Sequence, residues 1–118
     1  MKKITSVEEA ERLLLEIKHK IRNNGLLFLR NKEKNCQTLA RLGIMAIRVR
    51  EIIDGLQATD YYQGPGPDEK YPWKWISIFG VTFQGTELYI KFSVGEDDTP
   101  VVCLSFHEAE QPMTYQFK

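Results

Sequence analysis

The length and composition of the chain are those of a single folded domain. Its 118 residues are enough for one hydrophobic core and too few for two. Hydrophobic residues make up 42% and charged residues 27%, which argues against wholesale disorder. No apolar run approaches the roughly 20 residues of a membrane span, and glutamates interrupt any signal-peptide core. We therefore expect one domain, residues 1–118, in the cytoplasm and away from membranes.

Charge is divided unevenly along the chain, although the net charge is zero. Residues 1–55 carry 12 Lys and Arg against 7 Asp and Glu, whereas residues 56–118 carry 4 against 9. A basic half can attract phosphate groups. Helices that display solvated Lys and Arg give the same counts, so charge alone leaves both interpretations open.

Neither cysteine belongs to a recognisable motif. Cys36 and Cys103 have no metal-binding spacing and no partner cysteine nearby in the sequence. We expect two reduced thiols packed as small apolar groups, and the sequence predicts no metal and no other cofactor.

The residues up to 55 are predicted to be helical. Ser6 and Glu9 have the spacing of a capping box, and Asn24-Gly25 is a helix-ending pair. An apolar stripe at spacings of three and four predicts an amphipathic helix between them. The stripe consists of Val7, Ala10, Leu14, Ile17 and Ile21.

Two shorter helices are predicted after this one. The segment "LLFLR" at 26–30 is either an edge strand or a buried connection. Asn35 can cap a second helix that runs through Arg41. Residues 44–54 are typical of a third helix that ends at Gly55, although their β-branched content weakens that prediction. The side chains expected to be buried there are Ile44, Ile47, Ile52 and Ile53.

The second half changes to a period of two. Residues 60–73 contain three prolines and two glycines, so we expect a structured loop outside any strand ladder. Strands are predicted at 74–80, 81–94 and 100–106, with a tight turn at Gln84-Gly85, and "TYQF" near the end is a candidate last strand. The fold class is α+β, with N-terminal helices packed on one face of a small antiparallel sheet.

Strand alternation gathers polar side chains on the other face of that sheet. In "ELYIKFSV", Tyr89 and Lys91 point away from the apolar set that forms the core. If Leu104 and Phe106 enter the core, Ser105 and His107 of the next strand join them. Antiparallel sheets often carry one solvated polar face, so an ordinary surface remains the alternative.

These residue types suit one reaction in particular. A phenol, an amine and an imidazole can cleave an RNA phosphodiester without a metal ion, through an acid, a base and a cation that stabilises charge on phosphorus. The imidazole of His107 titrates in the range that acid or base catalysis needs. The residues alone leave open whether Tyr89 or His107 handles which proton.

Three segments resemble a known family. "DYYQGPGPD", "ELYIKFSV" and "LSFHEAEQPMTY" occur in the order and spacing typical of the MqsR-like toxins of bacterial type II toxin–antitoxin systems. The resemblance covers residues from about Ile44 to Tyr115. It implies a RelE-like fold, a metal-independent endoribonuclease that cuts mRNA, and a cognate antitoxin protein as partner.

The resemblance also implies roles for individual residues. It places the functional tyrosine of the family at Tyr89, its lysine at Lys91 and its basic position at His107. Gln63 stands where the family has a lysine, and Ile76 or Ser77 stands where well-known members have a glutamine.

Other residues are candidates for binding the RNA strand. Arg48 and Arg50 on the third helix, with Trp75 or Trp73 beside the proline segment, are expected to hold RNA by charge and base stacking, along with Gln63. The alternative is a non-catalytic module of the same fold that binds an antitoxin-like partner or nucleic acid.

Overall fold

The fold consists of helices packed against one sheet. The computed structural model describes residues 4–96 and 98–118, and in them three α-helices and a five-stranded sheet surround one core. The predicted α+β class is thereby confirmed. In chain order the elements are α1 (Val7–Asn24), β1 (Leu26–Phe28), α2 (Glu33–Leu42), α3 (Ala46–Asp54), a 3-10 turn (Ala58–Asp60), β2 (Tyr61–Pro67), β3 (Trp75–Phe83), β4 (Thr86–Val94) and β5 (Val101–Glu108).

The sheet has the strand order β1-β5-β4-β3-β2. β3, β4 and β5 pair antiparallel, as expected, and β2 pairs antiparallel to β3 at one edge, whereas the short β1 pairs parallel to β5 at the other edge. The β3–β4 connection turns at Gln84 and Gly85, whose φ angles of 51° and 78° are those of a tight hairpin turn. β1 lies within the segment at 26–30, so this segment supplies an edge strand.

Helix α1 forms as its sequence predicts. Ser6 is the N-cap, and its hydroxyl accepts a hydrogen bond from the backbone N–H of Glu9 at 3.2 Å. Gly25, with φ 93°, ends the helix and donates its N–H to the carbonyl of Ile21. The buried stripe packs on the apolar sheet face. The central buried side chains of that face are Phe79, Leu88, Ile90 and Phe92.

The prediction of a loop without ladder pairing at 60–73 was wrong for its first half. Residues Tyr61–Pro67 form β2, which pairs with β3 at the edge of the sheet. Proline lacks the N–H of a ladder bond, so it is tolerated only at edges or irregular positions. β2 meets both conditions, because the register shifts beside Gln63 and again before Gly66.

The expected cap at Asn35 was also wrong. Lys32 is the N-cap of α2, and Asn35 lies inside the helix with only 1% of its surface exposed. Its side-chain amide donates to the carbonyls of Leu29 and Leu104, and its oxygen accepts from the N–H of Phe106 at 2.9 Å. Asn35 therefore fastens α2 to β5.

Four smaller expectations also differ from the structure. Ile47 is 74% exposed because α3 buries the face that contains Val49 and Ile53. The segment "TYQF" forms no strand. Leu104 is only partly buried, since a bulge beside Phe92 shifts the register and puts Cys103 in the core. Cys36 is exposed, whereas Cys103 is packed inside as expected.

Candidate active site

The pairing of β4 with β5 brings the predicted polar residues together. Tyr89 lies opposite His107 and Lys91 lies opposite Ser105. Side chains directly opposite each other on one face of an antiparallel pair are close neighbours. All four line one surface cavity of about 440 Å³ on the face that α1 does not cover.

The rings of Tyr89 and His107 are stacked. Their centroids lie 5.2 Å apart and their planes differ by 14°. No apolar side chain is inserted between them at this distance. The phenol and imidazole are thus presented to the same cavity, with the amine of Lys91 one cross-strand pair away.

The imidazole of His107 is oriented by the backbone. Its Nδ1 lies 2.9 Å from the carbonyl oxygen of Glu108. A carbonyl oxygen only accepts, so Nδ1 carries the proton in this contact. In the neutral ring the lone pair is then on Nε2, and that nitrogen is the one able to take a proton from a ligand.

The phenol of Tyr89 is held in its protonated form. Burial raises its pKa above the ordinary value, and the nearby Tyr62 and Glu110 raise it further. A phenol of this kind donates a hydrogen bond or a proton at neutral pH. It is not suited to act as a base.

A second cavity adjoins the first along the sheet. Tyr89 and Lys91 line both, and the second, of about 510 Å³, also includes Gln63 and Lys70 from β2 and the loop after it. The structure therefore places Gln63 with the predicted catalytic residues. Ile76 lines this second cavity as well. Ser77 lies on the opposite sheet face, where it is buried.

The C-terminal segment forms a wall that the sequence did not reveal. Glu87, beside the site on β4, accepts hydrogen bonds from the backbone N–H of Met113 and from the hydroxyl of Tyr115, both at 3.0 Å. Tyr115 and Met113 lie against Gly80, where a Cβ atom would overlap them. Residues 110–113 of this segment consequently line the first cavity.

Helix α2 holds the strand end that carries His107. Phe106 donates its N–H to Asn35, and Glu108 donates its N–H to the hydroxyl of Thr38 at 3.1 Å. These bonds lie on either side of His107 and pair backbone groups of β5 beyond the end of β1. The polar residues of α2 thus complete the edge of the sheet.

Three predicted RNA-binding residues lie away from this site. Arg48 pairs with Glu51 at 3.9 Å on α3 and stands over the ring of Phe83. Arg50 pairs with Asp54 at 3.6 Å. Trp75 lies on the helix-covered face, in a cavity that it shares with residues of α1. The structure does not bring these three to Tyr89 and His107.

Two features are absent from the residues that the structure describes. Among residues 4–96 and 98–118, no group of three or more His, Cys, Asp or Glu is arranged to hold a metal ion. In the same residues no helix has the length and apolar character that crossing a bilayer requires.

Comparison with known proteins gives the chain its family. Residues 9–108 match the family model described as "Motility quorum-sensing regulator, toxin of MqsA". The chain belongs to this MqsR toxin family. Searches of curated proteins and of solved structures found no match. The family match spans Tyr89, Lys91 and His107, and it makes the chain a toxin of a toxin–antitoxin system.

Proposed function

We propose that the chain is a metal-independent endoribonuclease that cuts mRNA at the cavity that Tyr89, Lys91 and His107 line. The observation that carries this proposal is the cross-strand arrangement itself. It puts one proton acceptor, one proton donor and one cation around a single cavity. Membership of a toxin family supports a harmful activity that a cell must restrain.

The geometry suggests one assignment of roles. Nε2 of His107 takes the proton from the 2′-hydroxyl of RNA, and the 2′-oxygen then attacks phosphorus. The bond between phosphorus and the 5′-oxygen breaks, and Tyr89 supplies the proton that the departing oxygen needs. The ammonium of Lys91 stabilises the extra negative charge on the phosphoryl oxygens during the transfer. The products are a 2′,3′-cyclic phosphate and a 5′-hydroxyl end.

Other side chains near the cavity have supporting roles in this proposal. Gln63 offers a neutral amide that can hydrogen-bond a phosphate oxygen, in place of the cation that the family resemblance led us to expect there. RNA binding by Arg48, Arg50 and Trp75 stays a prediction, and any such contact would lie away from this cavity.

The proposed partner is an antitoxin of the kind that the family description names. A nuclease that cuts mRNA is harmful wherever mRNA is translated, so we place the protein in the cytoplasm. Binding of the antitoxin would keep the protein inactive until the antitoxin is lost. Growth should therefore be restored when the antitoxin gene is expressed together with the toxin gene.

Incubation of the purified protein with a long single-stranded RNA in EDTA tests the proposal. We expect discrete cleavage by the wild type, and none by the His107→Ala variant. The matched control is His19→Ala, since His19 lies on α1 and bonds to Asn23. Intact RNA together with a salt-dependent affinity would contradict the nuclease and support the non-catalytic module.

A further inference from the structure

Three neighbouring cavities form one groove across the sheet. The cavity of Gln63 and Lys70 shares Tyr89 and Lys91 with the central cavity. The central cavity in turn shares His107 and Glu110 with a third, of about 290 Å³, on the side of α2. A ligand longer than one nucleotide can therefore extend from the proposed scissile position towards α2.

The α2 end of this groove carries two cations. Lys34 and Arg41 lie seven residues apart, which is two helical turns and one helix face. Both line the third cavity together with His107. No sequence argument singled them out, because nothing in the sequence shows which helix face meets the end of β5.

Both cations are now paired with carboxylates from the end of β5. Lys34 Nζ lies 2.9 Å from Glu110, and Arg41 bonds to Glu108. All four side chains are more than half exposed. Exposed ion pairs of this kind contribute little to stability, so an incoming anion can displace the carboxylates at low cost.

A phosphate can take the place of the carboxylates on these two cations. Arginine binds phosphate through two parallel hydrogen bonds, and lysine binds it as a point charge. Each phosphate contact also releases counterions from the nucleic acid, which favours binding at low salt. In the absence of RNA, the carboxylates of Glu110 and Glu108 bind these cations.

We propose that Lys34 and Arg41 form a phosphate-binding subsite for the RNA strand that flanks the scissile bond. Glu110 and Glu108 occupy this subsite until RNA displaces them. This inference rests on the proposed nuclease function, because it assigns the strand's path from the position of His107. It adds a second contact region to the central cavity and makes single-stranded RNA of several nucleotides the preferred substrate.

The test measures binding of an RNA that cannot react. A single-stranded oligonucleotide with 2′-O-methyl groups throughout lacks the attacking hydroxyl, so its affinity is independent of cleavage. Fluorescence anisotropy over a range of salt concentrations gives the affinity and its salt slope. The variants are Lys34→Ala/Arg41→Ala and Glu108→Gln/Glu110→Gln. The control is Arg22→Ala, in the last turn of α1 and outside the groove.

The two variants should move affinity in opposite directions. Loss of Lys34 and Arg41 should weaken binding about tenfold and reduce the salt slope by roughly 0.7 for each lost phosphate contact. Removal of the two negative charges should tighten binding several-fold, whereas Arg22→Ala should change nothing. Tighter binding alone would also follow from the loss of two nearby negative charges, so weaker binding by Lys34→Ala/Arg41→Ala is the result that the subsite requires.

Two other outcomes separate a failure of the subsite from a failure of the nuclease proposal. If Lys91→Ala weakens binding but the Lys34/Arg41 variant binds as the wild type does, the subsite is overturned and the nuclease proposal stands. If the wild type fails to bind the oligonucleotide and also leaves unmodified RNA intact, both proposals are overturned. Because all four substituted side chains are exposed, circular dichroism should show an unchanged fold in both double variants.

Discussion

The imidazole of His107 lies almost parallel to the phenol of Tyr89, with 5.2 Å between ring centroids. The two residues are 18 positions apart in sequence and directly opposite each other in the β4–β5 ladder. The strand register therefore sets their separation, and no loop has to close to bring them together. A site built on paired strands is held more rigidly than one built on loops.

Expression of the wild-type chain without an antitoxin should stop growth. The His107→Ala variant should restore growth, because it removes the proposed base from the cavity. Colony counts after induction measure the effect, with His19→Ala as the matched variant. Normal growth with abundant wild-type protein, or arrest by the His107 variant, would count against catalysis by His107.

Replacement of Tyr89 by phenylalanine should slow cleavage by about 10²- to 10⁴-fold, the usual range for loss of a positioned proton donor. The ring stack with His107 is kept, so affinity for uncleavable RNA should change little. Single-turnover kinetics and anisotropy measure the two effects separately. Tyr71→Phe, in the β2–β3 connection, is the matched control. An unchanged rate for Tyr89→Phe would remove the phenol from the mechanism.

Thr38→Val should lower the free energy of unfolding by about 1–2 kcal/mol, because the N–H of Glu108 loses its acceptor. The imidazole signals of His107 in an NMR spectrum should shift as well, since the backbone beside it is released. Thr38→Ser keeps the hydroxyl and should preserve both properties. Urea denaturation provides the free energies. An unshifted His107 spectrum in Thr38→Val would show that α2 does not position this residue.

Stability should fall in alkaline solution. Burial raises the pKa of the Cys103 thiol to about 12, so above about pH 9 the unfolded chain loses this proton while the native chain keeps it. The native state then binds more protons, and the free energy of unfolding falls by up to about 1.4 kcal/mol per pH unit. Denaturation at pH 8, 9 and 10 measures the slope.

A variant that lacks the Cys103 thiol isolates that contribution. Cys103→Ala should be less stable at neutral pH, because it leaves a cavity in the core, but its slope between pH 9 and pH 10 should be shallower. The pKa values of Tyr61, Tyr89 and Tyr115 are also raised by burial, so the decline should steepen above about pH 10 in both proteins. Identical slopes below pH 10 would exclude Cys103 as the source.

Gly80→Ala should displace the C-terminal segment. Its Cβ would overlap the side chains of Tyr115 and Met113, which pack on this glycine. Amide hydrogen exchange at residues 110–117 should become faster, and the cavity should lose part of its wall. Tyr115→Phe removes the hydroxyl that bonds to Glu87 and to the sulfur of Met113 without adding a clash, and it should have a smaller effect. Unchanged exchange in Gly80→Ala would mean that the segment is held elsewhere.

The sequence predicted the site face because that face follows from local alternation. Tyr89 and Lys91 are two apart in a regular strand, so their common side could be read directly. His107 shares this face with Tyr89, as expected, but the sequence did not predict that the two lie directly opposite each other, nor that the bulge beside Phe92 leaves Leu104 only partly buried. Periodicity cannot show a one-residue bulge before the partner strand is known.

What the sequence could not show depends on contacts between distant residues. Asn35 bonds to Phe106 across 71 positions, and Tyr115 bonds to Glu87 across 28. The residue type of Asn35 favours a helix cap, and only the tertiary structure gives it a different partner. β2 was missed because its place in the sheet also depends on distant residues. Proline is excluded from central strands but tolerated at an irregular edge, and the sequence does not show which segment lies at the edge.

The most direct test of the central claim is the chemistry of the cut ends. RNA should be digested in EDTA and the product termini identified by mass spectrometry. Attack by the 2′-oxygen predicts a 2′,3′-cyclic phosphate and a 5′-hydroxyl for the wild type and His19→Ala, and no products for His107→Ala. A 3′-hydroxyl with a 5′-phosphate, or equal cleavage by the His107 variant, would contradict the account.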